Sequence, residues 1–236
     1  MITEKTSGIK GVGLEDVSSQ LRLSRRKFFG ISSAFVAAAA IASCKDDDGP
    51  APSSDGIDLG SGDVGVLNYA YALEQLEAAF YSKVAMSFYA GITTTERAYL
   101  SDIRDHEVAH RAFFKAAITA AGATPLQDLV VDFSSINFAD RTSVLGTAKA
   151  FEDLGVNAYN GAGKLITNPD YLLAAGKIVS VEARHAATIR DLISYGTFAD
   201  SVDSNGMDMA KSPAEVLAIA GTYITTKLNA SNLPTS

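Results

Sequence analysis

The sequence predicts an all-α protein: a bundle of four long helices with one long crossover connection, followed by a short fifth helix. Three observations indicate this fold. Apolar residues recur at three- and four-residue spacing in four stretches, helix-capping residues stand at their ends, and the connections between them are unequal in length. The chain has 236 residues, of which 47% are hydrophobic, enough for one sizeable core and hardly enough for two.

The first two predicted helices form one half of the bundle. Residues 66–86 carry the apolar repeat without Pro or Gly inside it. The next helix begins at the threonine run before Glu96, where a threonine can cap and the carboxylate favours the positive helix start, and it runs to residue 122. A few residues around Gly91 join these helices, and so short a link makes antiparallel neighbours.

The second half repeats this arrangement and adds the short helix. The third helix covers residues 141–166, and the fourth opens with Asn168 as cap and Pro169 at its first position and ends near residue 196. A fifth helix begins at residues 212–215, Ser-Pro-Ala-Glu, which have the serine and glutamate of a capping box around a proline.

Residues 123–140 connect the two halves. A connection of this length is unusual unless it crosses the bundle. We therefore expect one long crossover between two antiparallel helix pairs.

The first 43 residues have the features of an export signal. Arg25 and Arg26, in the run Ser-Arg-Arg-Lys-Phe-Phe, resemble the twin-arginine signature, and the apolar stretch 28–42 that follows is too short to span a bilayer. Ile-Ala-Ser before Cys44 resembles the lipobox at which a signal peptidase cuts and the new N-terminal cysteine receives lipid. Cys44 is the one cysteine of the chain, which excludes an internal disulfide. The alternative is an uncleaved membrane tether with an ordinary core cysteine.

Residues 44–60 form a predicted acidic, flexible tether, and residues 61–236 the helical domain. The tether is rich in Pro, Gly, Ser and Asp, and its start, Lys-Asp-Asp-Asp, resembles the signal that sends some bacterial lipoproteins to the outer face of the outer membrane. We therefore expect an outer-membrane lipoprotein of the bacterial cell envelope, held to the membrane by its lipid alone.

The net charge excludes one class of partner. Cutting before Cys44 removes six basic and three acidic residues from the 20 and 27 of the whole chain. The remaining 14 basic and 24 acidic side chains give a formal charge of −10. An acidic surface without a Lys/Arg cluster argues against nucleic acid or an anionic membrane face as a partner.

Two helices carry a glutamate and a histidine three residues apart. Glu107 and His110 stand in the second helix, and Glu182 and His185 in the fourth. At this spacing, both side chains of each pair lie on one face of their helix. Two of the chain's three histidines are used in this way.

The first and third helices each carry a glutamate and a tyrosine seven residues apart. These are Glu74 with Tyr81, and Glu152 with Tyr159. Seven residues make nearly two turns, so each tyrosine lies on the face of its glutamate. The chain therefore contains a duplicated unit, in which the two glutamates are 33 residues apart in the first half and 30 in the second.

These residues predict a site for two iron or manganese ions. Four carboxylates in a dry interior would repel one another and lose their hydration, whereas two divalent cations balance their charge. Bundles that hold two such ions use one glutamate from each of two helices and Glu-x-x-His from each of the others. The candidate ligands are Glu74, Glu107, His110, Glu152, Glu182 and His185.

Three alternatives stay open. Glu77 competes with Glu74 as the ligand on the first helix, although the second repeat has Gly155 at the equivalent position. Residues 106–110, His-Glu-Val-Ala-His, match the H-E-x-x-H motif of zinc proteases, in which both histidines bind one zinc. The glutamates and histidines could also be surface residues of amphipathic helices, which a single Glu-x-x-His would most often be.

At these residues the chain resembles the bacterial exported ferritin-like domain family, which is related to plant desiccation-associated ferritin-like proteins. The resemblance covers residues 60–224 and is strongest in residues 67–81, LNYAYALEQLEAAFY. It implies a ferritin-like four-helix bundle with a buried dinuclear site at the six candidate ligands. One departure concerns the residues before the ligands Glu107 and Glu182. An aspartate often stands there in related di-iron bundles, whereas this chain has His106 and Val181.

Two functions are expected from this reading. The first is a redox-active di-iron or di-manganese protein that uses oxygen or peroxide to oxidise ferrous iron or to protect against oxidative stress. In it, Tyr81 and Tyr159 act as hydrogen-bond donors or radical quenchers, unless they merely pack in the core. The second is a stress-associated or metal-sequestering envelope protein without turnover. A homo-oligomer is open, although a tethered chain disfavours a closed cage.

Overall fold

The computed structural model describes residues 56–235 and confirms the predicted all-α fold. Arg25, Arg26 and Cys44, the residues of the predicted export and lipidation signals, lie outside this range. The described chain has five α-helices: α1 (Gly62–Met86), α2 (Thr94–Ala120), α3 (Arg141–Ala162), α4 (Pro169–Ile193) and α5 (Pro213–Ala220). A 3₁₀ turn, Gly163–Leu165, continues α3, and two short strands, β1 (Ile57–Asp58) and β2 (Leu228–Asn229), flank the helical part.

The helix ends follow the capping residues that the sequence offers. Thr93 Oγ1 accepts from the Glu96 N–H at 3.1 Å while Glu96 Oε2 accepts from the Thr93 N–H at 2.8 Å, a reciprocal capping box that starts α2. Asn168 Oδ1 accepts from the Asp170 N–H at 2.9 Å at the start of α4. Just beyond α2, Gly122 has φ 76°, a conformation in which a glycine is favoured.

Four predicted helix bounds differ from the structure. Helix α2 ends at Ala120 rather than at residue 122, and α3 ends at Ala162, with the 3₁₀ turn reaching Leu165, rather than at residue 166. Helix α1 begins at Gly62 rather than at residue 66, because the polar first turn is helical although it lacks the apolar repeat. Helix α4 ends at Ile193 rather than near residue 196. The Gly196 N–H donates to Asp191 Oδ1 at 2.7 Å, so the chain turns back onto the end of α4.

The four long helices pack as two hairpins, α1 with α2 and α3 with α4. Helix α1 is buried on almost every side and supplies much of the core. A helix that is apolar all round is expected to lie at the centre of a fold. Its start is tied to the loop between α3 and α4, where Asp63 accepts hydrogen bonds from Thr167 and Asn168.

The long connection between α2 and α3 covers α1. The Leu129 N–H donates to Gln75 Oε1 at 2.8 Å, and the Leu126 N–H donates to Asn68 Oδ1 at 3.3 Å. Leu126 is also buried, as are two further apolar residues of the connection. The polar side chains of α1 therefore satisfy backbone donors of an irregular segment. Without these hydrogen bonds, burial of the connection would leave backbone N–H groups unpaired.

The ends of the described chain meet in a small parallel ladder. Strand β1 pairs with β2, and the Ile57 N–H donates to the Lys227 carbonyl oxygen at 2.8 Å. Leu59 is fully buried. The predicted tether ran to residue 60, whereas residues 56–60 pack on the helical domain because Ile57 and Leu59 are apolar. No helix within residues 56–235 combines the length and apolar character needed to cross a membrane.

Two glycines of α3 should respond oppositely to substitution by alanine. A Cβ at Gly161 would lie 1.7 Å from the Lys211 carbonyl oxygen, so Gly161→Ala should lower the free energy of unfolding by about 1–3 kcal/mol. A Cβ at Gly146 meets nothing within 4 Å, so Gly146→Ala should raise it by about 0.5–1 kcal/mol. Urea unfolding of the two variants measures this. Equal stability would contradict the packing of the segment before α5 on α3.

Candidate metal site

The structure brings together the side chains of all six predicted ligands in the middle of the bundle. They come from all four long helices, and each lies on the face that its helix turns to the interior of the bundle. Their four glutamates are fully buried and His185 is 4% exposed. One histidine comes from each half of the chain, His110 from the first and His185 from the second, and their ring centroids are 6.4 Å apart. The alternative that these are surface residues is therefore wrong.

One group of four could hold a metal ion next to α1. Nδ1 of His110 lies 2.9 Å from Glu182 Oε1 and 3.5 Å from both Glu107 Oε2 and Glu74 Oε2. These residues each offer one ligand atom, and the four atoms lie within 4.8 Å of one another. We name this group position A.

A second group of four lies next to α3 and repeats the same geometry. Nδ1 of His185 lies 2.9 Å from Glu107 Oε1, 3.3 Å from Glu152 Oε2 and 3.5 Å from Glu182 Oε2. Their ligand atoms also lie within 4.8 Å of one another. We name this group position B. Glu107 and Glu182 belong to both positions, and each turns a different oxygen to each histidine.

The atoms that face these two positions have no hydrogen-bond partner within the described chain. They are Glu74 Oε2, both carboxylate oxygens of Glu107, Glu152 Oε2, both carboxylate oxygens of Glu182, and Nδ1 of His110 and His185. The histidine nitrogens and glutamate oxygens are therefore close together but are not aligned as hydrogen bonds. Their arrangement around two common centres explains this. Buried polar atoms left without partners are costly, and a cation at each centre would satisfy them. Carboxylate oxygens and imidazole nitrogens are donors that bind metal ions in proteins.

Two tyrosines hold the outer oxygens of the unshared glutamates. Tyr81 on α1 donates to Glu152 Oε1 on α3 at 2.5 Å, and Tyr159 on α3 donates to Glu74 Oε1 on α1. The sequence placed each tyrosine on the face of the glutamate in its own helix. In the folded chain each tyrosine instead binds the glutamate of the other half, so that the two halves are tied together beside the site.

The electrostatics of the metal-free site divide the glutamates. Burial raises the pKa of Glu74 well above its usual range and that of Glu152 to about 8, and neighbouring carboxylates add to this effect. Burial alone would also raise the pKa of Glu107, but its contacts with His110 and His185 outweigh burial and lower it to about 2.

Contacts with the buried carboxylates raise the pKa of both predicted histidine ligands. Burial alone would lower the pKa of His110, but its contacts with Glu107, Glu182 and Glu74 outweigh burial and raise it to about 12. The contacts of His185 with Glu107, Glu152 and Glu182 likewise raise its pKa to about 12. Protons on the imidazoles therefore supply part of the positive charge that the buried carboxylates require.

The choice between Glu74 and Glu77 has a geometric answer. Glu74 belongs to position A, whereas neither group contains Glu77. Glu77 is buried as well, and its Oε1 would lie 3.1 Å from a Cβ at position 155. Gly155, at the equivalent position of the second repeat, therefore leaves room for the Glu77 carboxylate. Burial raises the pKa of Glu77, and the four neighbouring glutamates raise it further.

His106, the third histidine, is not part of the candidate ligand group that contains His110. Nδ1 of His106 lies 2.9 Å from Nε2 of His185, and the two rings are nearly parallel, 8° apart. Burial lowers the pKa of His106, as do the neighbouring His185 and His110. Within the described residues neither group of candidate ligands contains His106, so the geometry does not support the zinc-protease arrangement. Sequence reasoning missed this contact, although the H-E-x-x-H motif had drawn attention to the residue.

Removing the tyrosine hydroxyl should destabilise the metal-free protein. Tyr81→Phe deprives the buried Glu152 carboxylate of its donor, which should lower the free energy of unfolding by about 1–3 kcal/mol. Tyr99→Phe is the control, because Tyr99 is 43% exposed and its loss should change stability by less than about 0.5 kcal/mol. Urea unfolding after chelation measures both. An unchanged Tyr81→Phe variant would show that the hydroxyl does not support the carboxylate.

Comparison with known proteins agrees with this architecture. The model of the family described as ferritin-like domain matches residues 62–195, a range that contains all four long helices and all six candidate ligands. No curated protein matches the chain. The matched range covers more than half of the 236 residues, and the chain belongs to the ferritin-like domain family.

Proposed function

We propose that this protein is a lipid-anchored envelope protein that holds two iron or manganese ions, and that it oxidises ferrous iron or removes peroxide. The observation that carries the proposal is the pair of four-atom groups that share Glu107 and Glu182 and leave their ligand atoms without hydrogen-bond partners. The anchor and the envelope location rest on the motifs at Arg25, Arg26 and Cys44.

Charge balance supports two divalent ions rather than one. Four carboxylates, Glu74, Glu107, Glu152 and Glu182, carry four negative charges when deprotonated, and two divalent cations carry four positive ones. The shared carboxylates each have one oxygen for each position, so that they suit a bridging role. One imidazole per position completes a mixed oxygen and nitrogen donor set, which suits iron and manganese. Copper is more typical of sites with sulfur ligands or with square-planar geometry.

In this proposal a bound pair of metal ions would supply the electrons for reducing oxygen or peroxide, and the residues of the chain would hold and orient it. Glu107 and Glu182 each offer one oxygen to each position. His110 offers its nitrogen to position A, and His185 offers its nitrogen to position B. Tyr81 and Tyr159 orient the unshared carboxylates through their hydroxyl groups. Burial excludes bulk water from the carboxylates, which strengthens their interaction with cations.

A second candidate function, metal sequestration without turnover, is favoured by the depth of the site. All four glutamates are fully buried, and the side chain of His110 is only 13% exposed. Such a site admits a small ion or a diatomic molecule more readily than a larger substrate. Reaction of the ferrous protein with peroxide separates the two functions: a spectral change supports the oxidoreductase, and inertness of the loaded protein supports sequestration.

Metal content should depend on the shared glutamates. Elemental analysis of the purified full-length chain should find about two iron or manganese ions per chain. The double variant Glu107→Gln, Glu182→Gln should lose both, because each substitution removes a negatively charged ligand from both positions. The matched control is Asp102→Asn, Asp170→Asn, which removes two exposed carboxylates from the same helices and should retain the metal. One zinc ion, or unchanged metal in the glutamine variant, would contradict the proposal.

Metal binding should release protons and strengthen as the pH rises. Four candidate ligands have pKa values raised above neutrality: His110 and His185 to about 12, Glu152 to about 8, and Glu74 well above its usual range. At pH 7 each must lose a proton before it binds a cation, so as many as four protons should leave per loaded chain. The metal affinity should therefore fall from pH 8 to pH 6, because removing these protons costs more free energy at the lower pH.

Calorimetric titration of the chelated chain with Mn²⁺ measures this release. Two buffers of different ionisation enthalpy at pH 7 give the proton number from the difference in observed heat. The Asp102→Asn, Asp170→Asn variant should release as many protons as the wild type. Identical heats in the two buffers would show that the cluster is already deprotonated and would contradict the charge assignment.

A further inference from the structure

One side chain next to the site has no role in the proposed function. His106 precedes Glu107 on α2, and its Nδ1 lies 2.9 Å from Nε2 of His185, which belongs to α4. The ring centroids are 5.1 Å apart and the planes are inclined by 8°. Because His106 itself is exposed, it lies at the rim of the site, between His185 and the surface.

The contact suits the tautomer of His185 that a metal at position B would require. Nδ1 of His185 faces Glu107, Glu152 and Glu182, and it is the atom that would bind a metal at position B. With a metal on Nδ1, Nε2 would carry the hydrogen and would donate it to Nδ1 of His106. A neutral imidazole can accept at one nitrogen while the other remains a donor, so His106 suits this role.

The other candidate ligand has no such partner. Among the described residues, no hydrogen bond links a side chain to the outer nitrogen of His110. In the second repeat, the residue equivalent to His106 is Val181, whose side chain has no polar atom. The two positions therefore have the same kinds of candidate ligands, but only the histidine of position B has a hydrogen-bond partner on its outer nitrogen among the described residues.

We propose that His106 is a positioning residue for His185: it fixes the tautomer and ring orientation of His185 and thereby makes position B bind its ion more tightly than position A. This inference rests on the proposed metal site. Groups that hydrogen-bond a metal-binding histidine orient its ring and raise its basicity, and their loss typically weakens metal binding by 10–100-fold. A histidine without such a partner can turn its ring or exchange its tautomer, and part of its binding free energy is then lost.

Two substitutions separate the acceptor from the ring. His106→Phe keeps an aromatic ring but removes the acceptor nitrogen, whereas His106→Asn supplies an acceptor oxygen. Asp105→Ala is the matched control, because this neighbouring side chain is 67% exposed and pairs with Arg104 away from the site. Since residue 106 is exposed, these substitutions leave the core intact, and circular dichroism checks the helical content of each variant.

The first readout is the binding of Mn²⁺ by the full-length chain, followed through the paramagnetic signal of the free ion. The wild type should bind two ions with different affinities. In His106→Phe the tighter site should weaken by about 10–100-fold while the weaker site stays within about threefold. His106→Asn should recover much of the loss, and Asp105→Ala should match the wild type.

The second readout does not depend on affinity. In the Zn²⁺-loaded, ¹⁵N-histidine-labelled chain, NMR should show His185 with its hydrogen on Nε2 and in slow exchange with water. The exchange should become fast in His106→Phe and stay slow in His106→Asn, a difference that a purely structural role for residue 106 would not produce.

The outcomes distinguish this inference from the proposed function. Wild-type protein that binds neither Mn²⁺ nor Zn²⁺ overturns the metal site and this role of His106 together. Wild-type protein that binds two ions, with a His106→Phe variant unchanged in both affinities and in proton exchange, overturns the role of His106 and leaves the metal site standing. Selective weakening of the tighter site with loss of the protected Nε2 hydrogen supports the inference.

Discussion

The burial of four carboxylates at the centre of the bundle is the constraint on which the rest of the structure depends. Glu74, Glu107, Glu152 and Glu182 are fully buried within a few ångströms of one another, and this arrangement is unfavourable without compensating positive charge. The raised pKa values of the two imidazoles and of the Glu74 and Glu152 carboxyl groups favour protonated forms that supply this compensation. A cation at each position would replace those protons, so folding, protonation and metal binding are coupled at one place.

The duplicated sequence gives the site its internal symmetry. Each half contributes one glutamate that serves a single position and one that serves both, together with one histidine. The tyrosines then cross between the halves, Tyr81 to Glu152 and Tyr159 to Glu74. A bundle whose halves separated would lose both tyrosine bonds and both shared carboxylates at once. The crossover that covers α1 is therefore the connection that allows two similar hairpins to face each other across one polar centre.

The symmetry is broken at two pairs of equivalent residues, and each break has a physical reason. Glu77 and Gly155 occupy equivalent places in the repeat, and the carboxylate of one fills the space that a side chain of the other would need. His106 and Val181 also correspond, and the imidazole meets the outer nitrogen of His185. Both differences are located around the ligand positions rather than within them. The site thus combines two equal sets of candidate ligands with unequal surroundings.

The sequence by itself determined the helical class, the four long helices, their caps and the candidate ligands other than the choice between Glu74 and Glu77, because these depend on local periodicity and on fixed spacings along a helix. Glu107 with His110 is an example, since a three-residue spacing on a helix dictates a common face. Only the tertiary structure decided which glutamate of α1 turns to the site, which carboxylate each tyrosine binds, and that His106 contacts His185 rather than His110. These relations join residues from different helices, and they are set by the rotation and depth at which helices pack, which no local pattern encodes.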